Sequence, residues 1–129
     1  MLRGLRLLVP ALLLAAPACA HSGGGEVKPQ VKETTIPVYV EVDNQHPLPM
    51  EVYVIGSGIT QRLGTVHPGM DSRFTIPVNL IGNGSVRFEA RPTGGGQPFR
   101  SEDLLLAPGA VVDFSITPQL FNSTVTRRP

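Results

Sequence analysis

Tryptophan is absent from this 129-residue chain, cysteine occurs once, and the aromatic residues amount to two tyrosines and five phenylalanines. A single cysteine excludes an intramolecular disulfide, so any folded domain is held by its apolar core. So few aromatics exclude the stacking platforms on which single-stranded nucleic acid and many carbohydrates bind. A dominant sign of charge is also missing: the formal net charge is +1, and the basic residues are scattered, which leaves no electrostatic footprint for nucleic acid. No apolar run reaches the roughly 20 residues of a membrane-spanning helix. No window keeps a helical period, and Gly and Pro recur too often for long helices.

What is present begins with a leader. Residues 1–6 carry Arg3 and Arg6 and no acid, residues 7–16 are apolar, and the small residues Ala16, Pro17, Ala18, Cys19 and Ala20 follow. That is the three-part layout of a secretory signal peptide. Two cleavage sites compete. Ala18-Cys19-Ala20 suits a cut before His21, making the leader 1–20; Ala16-Pro17-Ala18-Cys19 resembles a bacterial lipobox cut before Cys19, making it 1–18, although Ala16 stands where leucine is usual. A lone exported thiol has no partner, and acylation gives it a role. Lipidation of Cys19 is therefore the favoured expectation, and a soluble periplasmic or secreted chain is the alternative. By resemblance to lipoprotein sorting in diderm bacteria, the absence of Asp after Cys19 implies the outer membrane. Loss of Arg3 and Arg6 leaves nine basic against ten acidic residues.

Residues 19–33 are rich in Gly, Ser, Glu, Lys and Pro and include both lysines, Lys28 and Lys32; this composition predicts a flexible tether. Residues 34–126 change to short runs of Val, Ile, Phe and Thr between turn clusters, which predicts one antiparallel β-sandwich of about seven to eight strands. Alternation places Ile36, Val38, Val40 and Val42 on one face, then Met50, Val52 and Val54, then a weaker strand over 61–66. Phe74, Ile76 and Val78 follow, with Pro77 restricting that end to an edge or bulge. Val86, Phe88 and Ala90 alternate with Arg87, Glu89 and Arg91, a pattern with one face wet. Leu104, Leu105 and Leu106 read as a run buried on both sides, Ala110, Val112, Phe114 and Ile116 as a further strand, and 121–126 as a last edge. Asn83-Gly84 suits a type I′ turn, Gly94-Gly95-Gly96 and Gly56-Ser57-Gly58 suit hairpin tips, and Pro108-Gly109 suits a type II turn.

Val40-Glu41-Val42-Asp43-Asn44, Arg62-Leu63-Gly64-Thr65-Val66, Phe74-Thr75-Ile76-Pro77, Leu106-Ala107-Pro108-Gly109 and Val112-Asp113-Phe114-Ser115-Ile116 together resemble uncharacterised small bacterial lipoproteins with an immunoglobulin-like or carboxypeptidase-regulatory-like sandwich. The resemblance rests on strand and turn texture. It implies a fold and a compartment and transfers no site residues.

One arrangement rises above texture. His46-Pro47-Leu48-Pro49-Met50 follows the first strand, and His67-Pro68-Gly69-Met70 follows the third. In an up-and-down meander of strands one to four, these connections lie at one end of the sheet. His46, Met50, His67 and Met70 then form an imidazole and thioether set suited to Cu(I). The competing reading makes the His-Pro pairs rigid turns and the methionines fillers of core gaps.

Catalytic sets are weaker still. Glu102 and Asp103 are adjacent and point apart on a strand, Asp43 and Asp71 fall in turns, and no hydroxyl is spaced with a base as a nucleophile requires. Arg87, Arg91 and Arg100 read as a solvated stripe paired by Glu89 and Glu102. The expected role is a non-enzymatic envelope module without a cofactor, held to the membrane by acylated Cys19 and binding or scaffolding an unidentified envelope protein. A copper-binding protein is the alternative.

Overall fold

A computed structural model describes residues 36–82 and 84–129. The leader, Cys19 and the tether at 19–33 lie outside the described residues, as does Asn83 of the expected type I′ turn. Among the described residues nine strands run in the order β1 (Val38–Asn44), β2 (Met50–Gly56), β3 (Ile59–Val66), β4 (Asp71–Ile76), β5 (Ser85–Pro92), β6 (Phe99–Arg100), β7 (Leu104–Leu105), β8 (Val111–Ile116) and β9 (Thr124–Arg127). A single turn of helix, α1 (Val78–Ile81), follows β4, and a 3-10 turn (Leu120–Asn122) precedes β9. The protein is an all-β sandwich of two sheets, β4-β1-β8-β9 and β3-β2-β5-β6, with β7 also paired to β5.

Period-two burial drives this arrangement. In β1 and β2 every second residue is buried, so Val38, Val40 and Val42 face Met50, Val52 and Val54 across the interior. Val86, Phe88 and Ala90 of β5 and Val112, Phe114 and Ile116 of β8 complete the two inner faces. The rings of Phe88 and Phe99 lie 6.2 and 5.8 Å from that of Phe114, tilted contacts that tie the layers together. Removing each such side chain from water stabilises the fold by roughly 1.5–3 kcal/mol, which lets an aliphatic core serve where no disulfide exists. Every pairing is antiparallel except that of β1 with β8, which run side by side with Tyr39 opposite Val111 and Asn44 opposite Ile116.

Several expectations are corrected. The connectivity of the first four strands, which the sequence leaves open, is not a meander: β1 and β2 lie in different sheets, and so do β3 and β4. Ile36 stands ahead of β1 and is exposed. β4 stops at Ile76 on a sheet edge, and Val78 begins α1 instead of extending the strand, because Pro77 has no N–H to offer a ladder. Of the leucine run only Leu106 is buried, since two residues of β7 pair with β5 and leave Leu105 outward. Ala107 to Ala110 do form a turn, with Gly109 at φ 79° and the Ala110 N–H donating to the Ala107 carbonyl. That turn joins the two sheets rather than closing a hairpin. The primed hairpin turn is at Ser57 (φ 52°) and Gly58 (φ 74°), between β2 and β3.

These connections give the sandwich two dissimilar ends. The β1–β2 and β3–β4 connections meet at one end, with the finish of β8 beside them. The start of β1, the β2–β3 turn, α1, the β7–β8 turn and the finish of β9 gather at the other.

Candidate functional site

Asn44 sits at the inward position that continues Val38, Val40 and Val42, and it is fully buried. A buried amide must have its donors and acceptors matched. The Asn44 Oδ1 accepts the His46 N–H at 2.9 Å, while its Nδ2 donates to the carbonyls of Leu48 at 3.0 Å and Val66 at 2.9 Å. Its main chain is equally committed. The Asn44 N–H donates to the Met70 carbonyl at 3.0 Å, and its carbonyl accepts the Gly69 N–H at 2.7 Å. One residue thus fastens both His-Pro connections, and its neighbour Gln45 joins them to β8 through an N–H bond to the Ile116 carbonyl at 2.8 Å.

The two connections singled out from the sequence are therefore brought together, although by crossing between sheets. Their four candidate ligands divide. Met50 is fully buried opposite Val66 and belongs to the core. Met70 is 57% exposed, His67 is exposed and His46 is partly covered. The His46 Nδ1 accepts the Leu48 N–H at 3.1 Å, so the neutral ring carries its proton on Nε2, and ligation of a metal through Nε2 requires a change of tautomer that gives up this bond. Among the described residues no three His, Cys, Asp or Glu side chains are placed to hold a metal.

The outer face of the β4-β1-β8-β9 sheet is acidic. Glu41, Asp43, Asp71 and Asp113 edge a shallow depression of about 640 Å³ with Arg73 among them. Arg73 lies 4.1 Å over the Tyr39 ring and 3.7 Å from Glu41. Arg128 pairs with both Asp113 and Glu41, and hydrogen bonds to those carboxylates push its guanidinium above the ordinary arginine value.

The other outer face carries the arginine stripe, arranged differently from expectation. Glu89 is only 2% exposed, so the β5 face expected to be wet is covered at its centre. Arg91 reaches Glu89 at 2.6 Å and Arg100 at 3.4 Å, and the Arg91 guanidinium lies 4.1 Å over the Tyr53 ring. The hydrogen bond to Glu89 raises the pKa of Arg91. Arg87 pairs with Asp103 at 3.2 Å rather than with Glu102. Glu102 and Asp103 lie in the connection between β6 and β7, not on a strand.

At the end where β1 begins, Ile36, Val38, Val78, Ile81, Leu106 and Pro108 line an apolar groove of about 240 Å³. Sequence reasoning missed this groove because α1 was read as strand. It missed Asn44 as well, although a polar side chain in step with three buried valines is the signal of a buried clamp.

The class these features define is an all-β, two-sheet sandwich domain. No family model matches the chain, and no curated protein matches it. It is similar to a protein from Eubacterium rectale of known NMR structure, at 12% identity over 73% of this chain and 90% of that one, with a TM-score of 0.48.

Proposed function

We propose that this protein is a non-enzymatic module of the cell envelope, exported and held to the membrane by acylated Cys19, that binds or scaffolds another envelope protein. One observation carries the reading. The chain's single cysteine, Cys19, stands three positions after the apolar run of residues 7–16, among the small residues Ala16, Pro17, Ala18 and Ala20. The texture shared with small bacterial lipoproteins of immunoglobulin-like or carboxypeptidase-regulatory-like form supports the same compartment, with the outer membrane or cell surface as its location. The mass of the mature N-terminus tests the anchor: a diacylated or triacylated Cys19 supports it, and a chain starting at His21 replaces it with a soluble secreted protein. Crosslinking in intact cells followed by recovery from membranes tests the partner.

A second reading, Cu(I) binding, is favoured by the Asn44 clamp that holds the His46 and His67 connections together. On that reading His46, His67 and Met70 supply the ligands, and Met50 lends packing alone. Calorimetric titration with Cu(I) under reducing conditions tests it: tight binding lost in the His46→Ala, His67→Ala double variant supports a site. Absence of binding tighter than micromolar removes it.

A further inference from the structure

The groove end gathers apolar surface that the fold does not use. Leu105 is 69% exposed, Ile36 56%, Val78 53% and Ile59 46%. The strands put them at one end. A Cβ at Gly56, beside the β2–β3 turn, would come within 2.4 Å of the Leu80 carbonyl oxygen of α1, and one at Gly109 within 3.1 Å of the Ile36 side chain. Single exposed aliphatics are ordinary, but several around one apolar groove mark a contact surface. Arg127 stands at its rim and donates to the Leu105 carbonyl at 3.3 Å. Among the described residues Arg127 has no ion-pair partner, whereas both broad faces are laced with charge pairs.

What meets this end follows from where the chain joins it. β1 starts here, and Cys19 lies 17 positions before Ile36. We infer that the groove end docks on an anionic lipid surface, seating Ile36, Val78 and Leu105 at the headgroup boundary. The inference rests on the proposed Cys19 anchor for its biological setting. Seventeen residues, even fully stretched, reach no more than about 60 Å. Such a short link holds the domain at high effective concentration over lipid, where a modest apolar surface is enough to partition. It also delivers the end that carries the groove. Arg127, at the rim of the groove, supplies a cation that anionic headgroups attract.

The chain lacks tryptophan and has one thiol, and both facts serve the test. Protein from Cys19 onward is coupled through that thiol to maleimide-bearing lipid in anionic vesicles, so attachment does not depend on acylation in the cell. Val78→Trp places the only tryptophan at the groove end, and Leu48→Trp places it at the opposite end; both side chains are exposed, so the core is kept, and circular dichroism verifies it. The expected result is a blue shift and severalfold stronger quenching by brominated lipid for Val78→Trp than for Leu48→Trp. Equal quenching of the two, or none, overturns the inference. A blue shift without lipid quenching also overturns it, and assigns the groove to a protein or to a second copy. An acylated Cys19 in the cell with no differential quenching removes the docking surface and keeps the anchor. A His21 start with differential quenching does the reverse.

Discussion

The side chain of Asn44, in β1, reaches across the sandwich to the carbonyl of Val66 at the end of β3, 2.9 Å away. Only a side chain that both accepts and donates serves this place, since the His46 N–H needs an acceptor while the Leu48 and Val66 carbonyls need donors. Asn44→Ala leaves these groups unmatched and is expected to lower stability by about 2 kcal/mol, read from urea denaturation. Asn44→Asp is expected to be worse at neutral pH, because a carboxylate faces two carbonyls. Its buried charge raises the folded-state pKa, so the deficit shrinks as pH falls through that value. A deficit independent of pH would show that the amide donors are not what the site requires.

Gly56 and Gly64 face different obstacles. A Cβ at Gly56 would lie 2.4 Å from a main-chain oxygen of α1, whereas one at Gly64 would lie 2.6 Å from the Phe74 ring edge. The helical turn is fixed by Pro77 and the buried Leu80, but Phe74 is on an edge strand and can rotate outward. Gly56→Ala is expected to cost roughly 2–3 kcal/mol and Gly64→Ala roughly 1 kcal/mol in thermal melts. The reverse order would place the rigid contact at the β3–β4 edge.

How much of this was legible divides along period and pairing. The inward valines of β1 and β2, the β5 and β8 alternations and the late edge strand stood in the sequence, because period-two burial is a local signal. Which strands share a sheet did not, since that depends on crossings that no local pattern encodes. Glu89 shows the difference. Its alternation with Phe88 correctly turns it from the core, yet Tyr53 and Arg100, opposite it on β2 and β6, cover it with Arg91. α1 escaped for a related reason, as Val78 continues a strand period until Pro77 breaks the ladder. At the His-Pro end, the sequence leaves open whether the two loops meet, since it offers a meander only as a condition, and the bonds of Asn44 to both connections show that they do.

Glu89 has a 2% exposed side chain between arginines that are 43% and 62% exposed. Truncating the carboxylate frees the arginines into water, while truncating an arginine strands a covered charge. Glu89→Ala is expected to cost about 2 kcal/mol, mostly through lost packing and hydrogen bonds. Arg91→Ala is expected to destabilise more than Arg100→Ala, because Arg91 holds Glu89 at 2.6 Å and Arg100 at 3.4 Å. Chemical denaturation of the three variants checks both statements, and equal effects of the two arginines would refute the assigned geometry.

Arg128 ties the end of the chain to the acidic face. Glu41 and Asp113 are direct partners across β1 and β8, and like charges in that relation repel unless a cation lies between them. Arg128 supplies it, with hydrogen bonds to both carboxylates. Its pKa is raised, so its own contribution is complete below the unfolded arginine value and is lost only as pH climbs above that. No pH dependence from Arg128 itself is therefore expected between pH 5 and pH 9. Arg128→Gln uncovers the repulsion. Its melting temperature is expected to fall below wild type at neutral pH and low salt, and to recover in high salt, where screening weakens surface repulsion. A deficit that ignores salt would mean that Arg128 acts through packing, and that the acidic face balances its charge elsewhere.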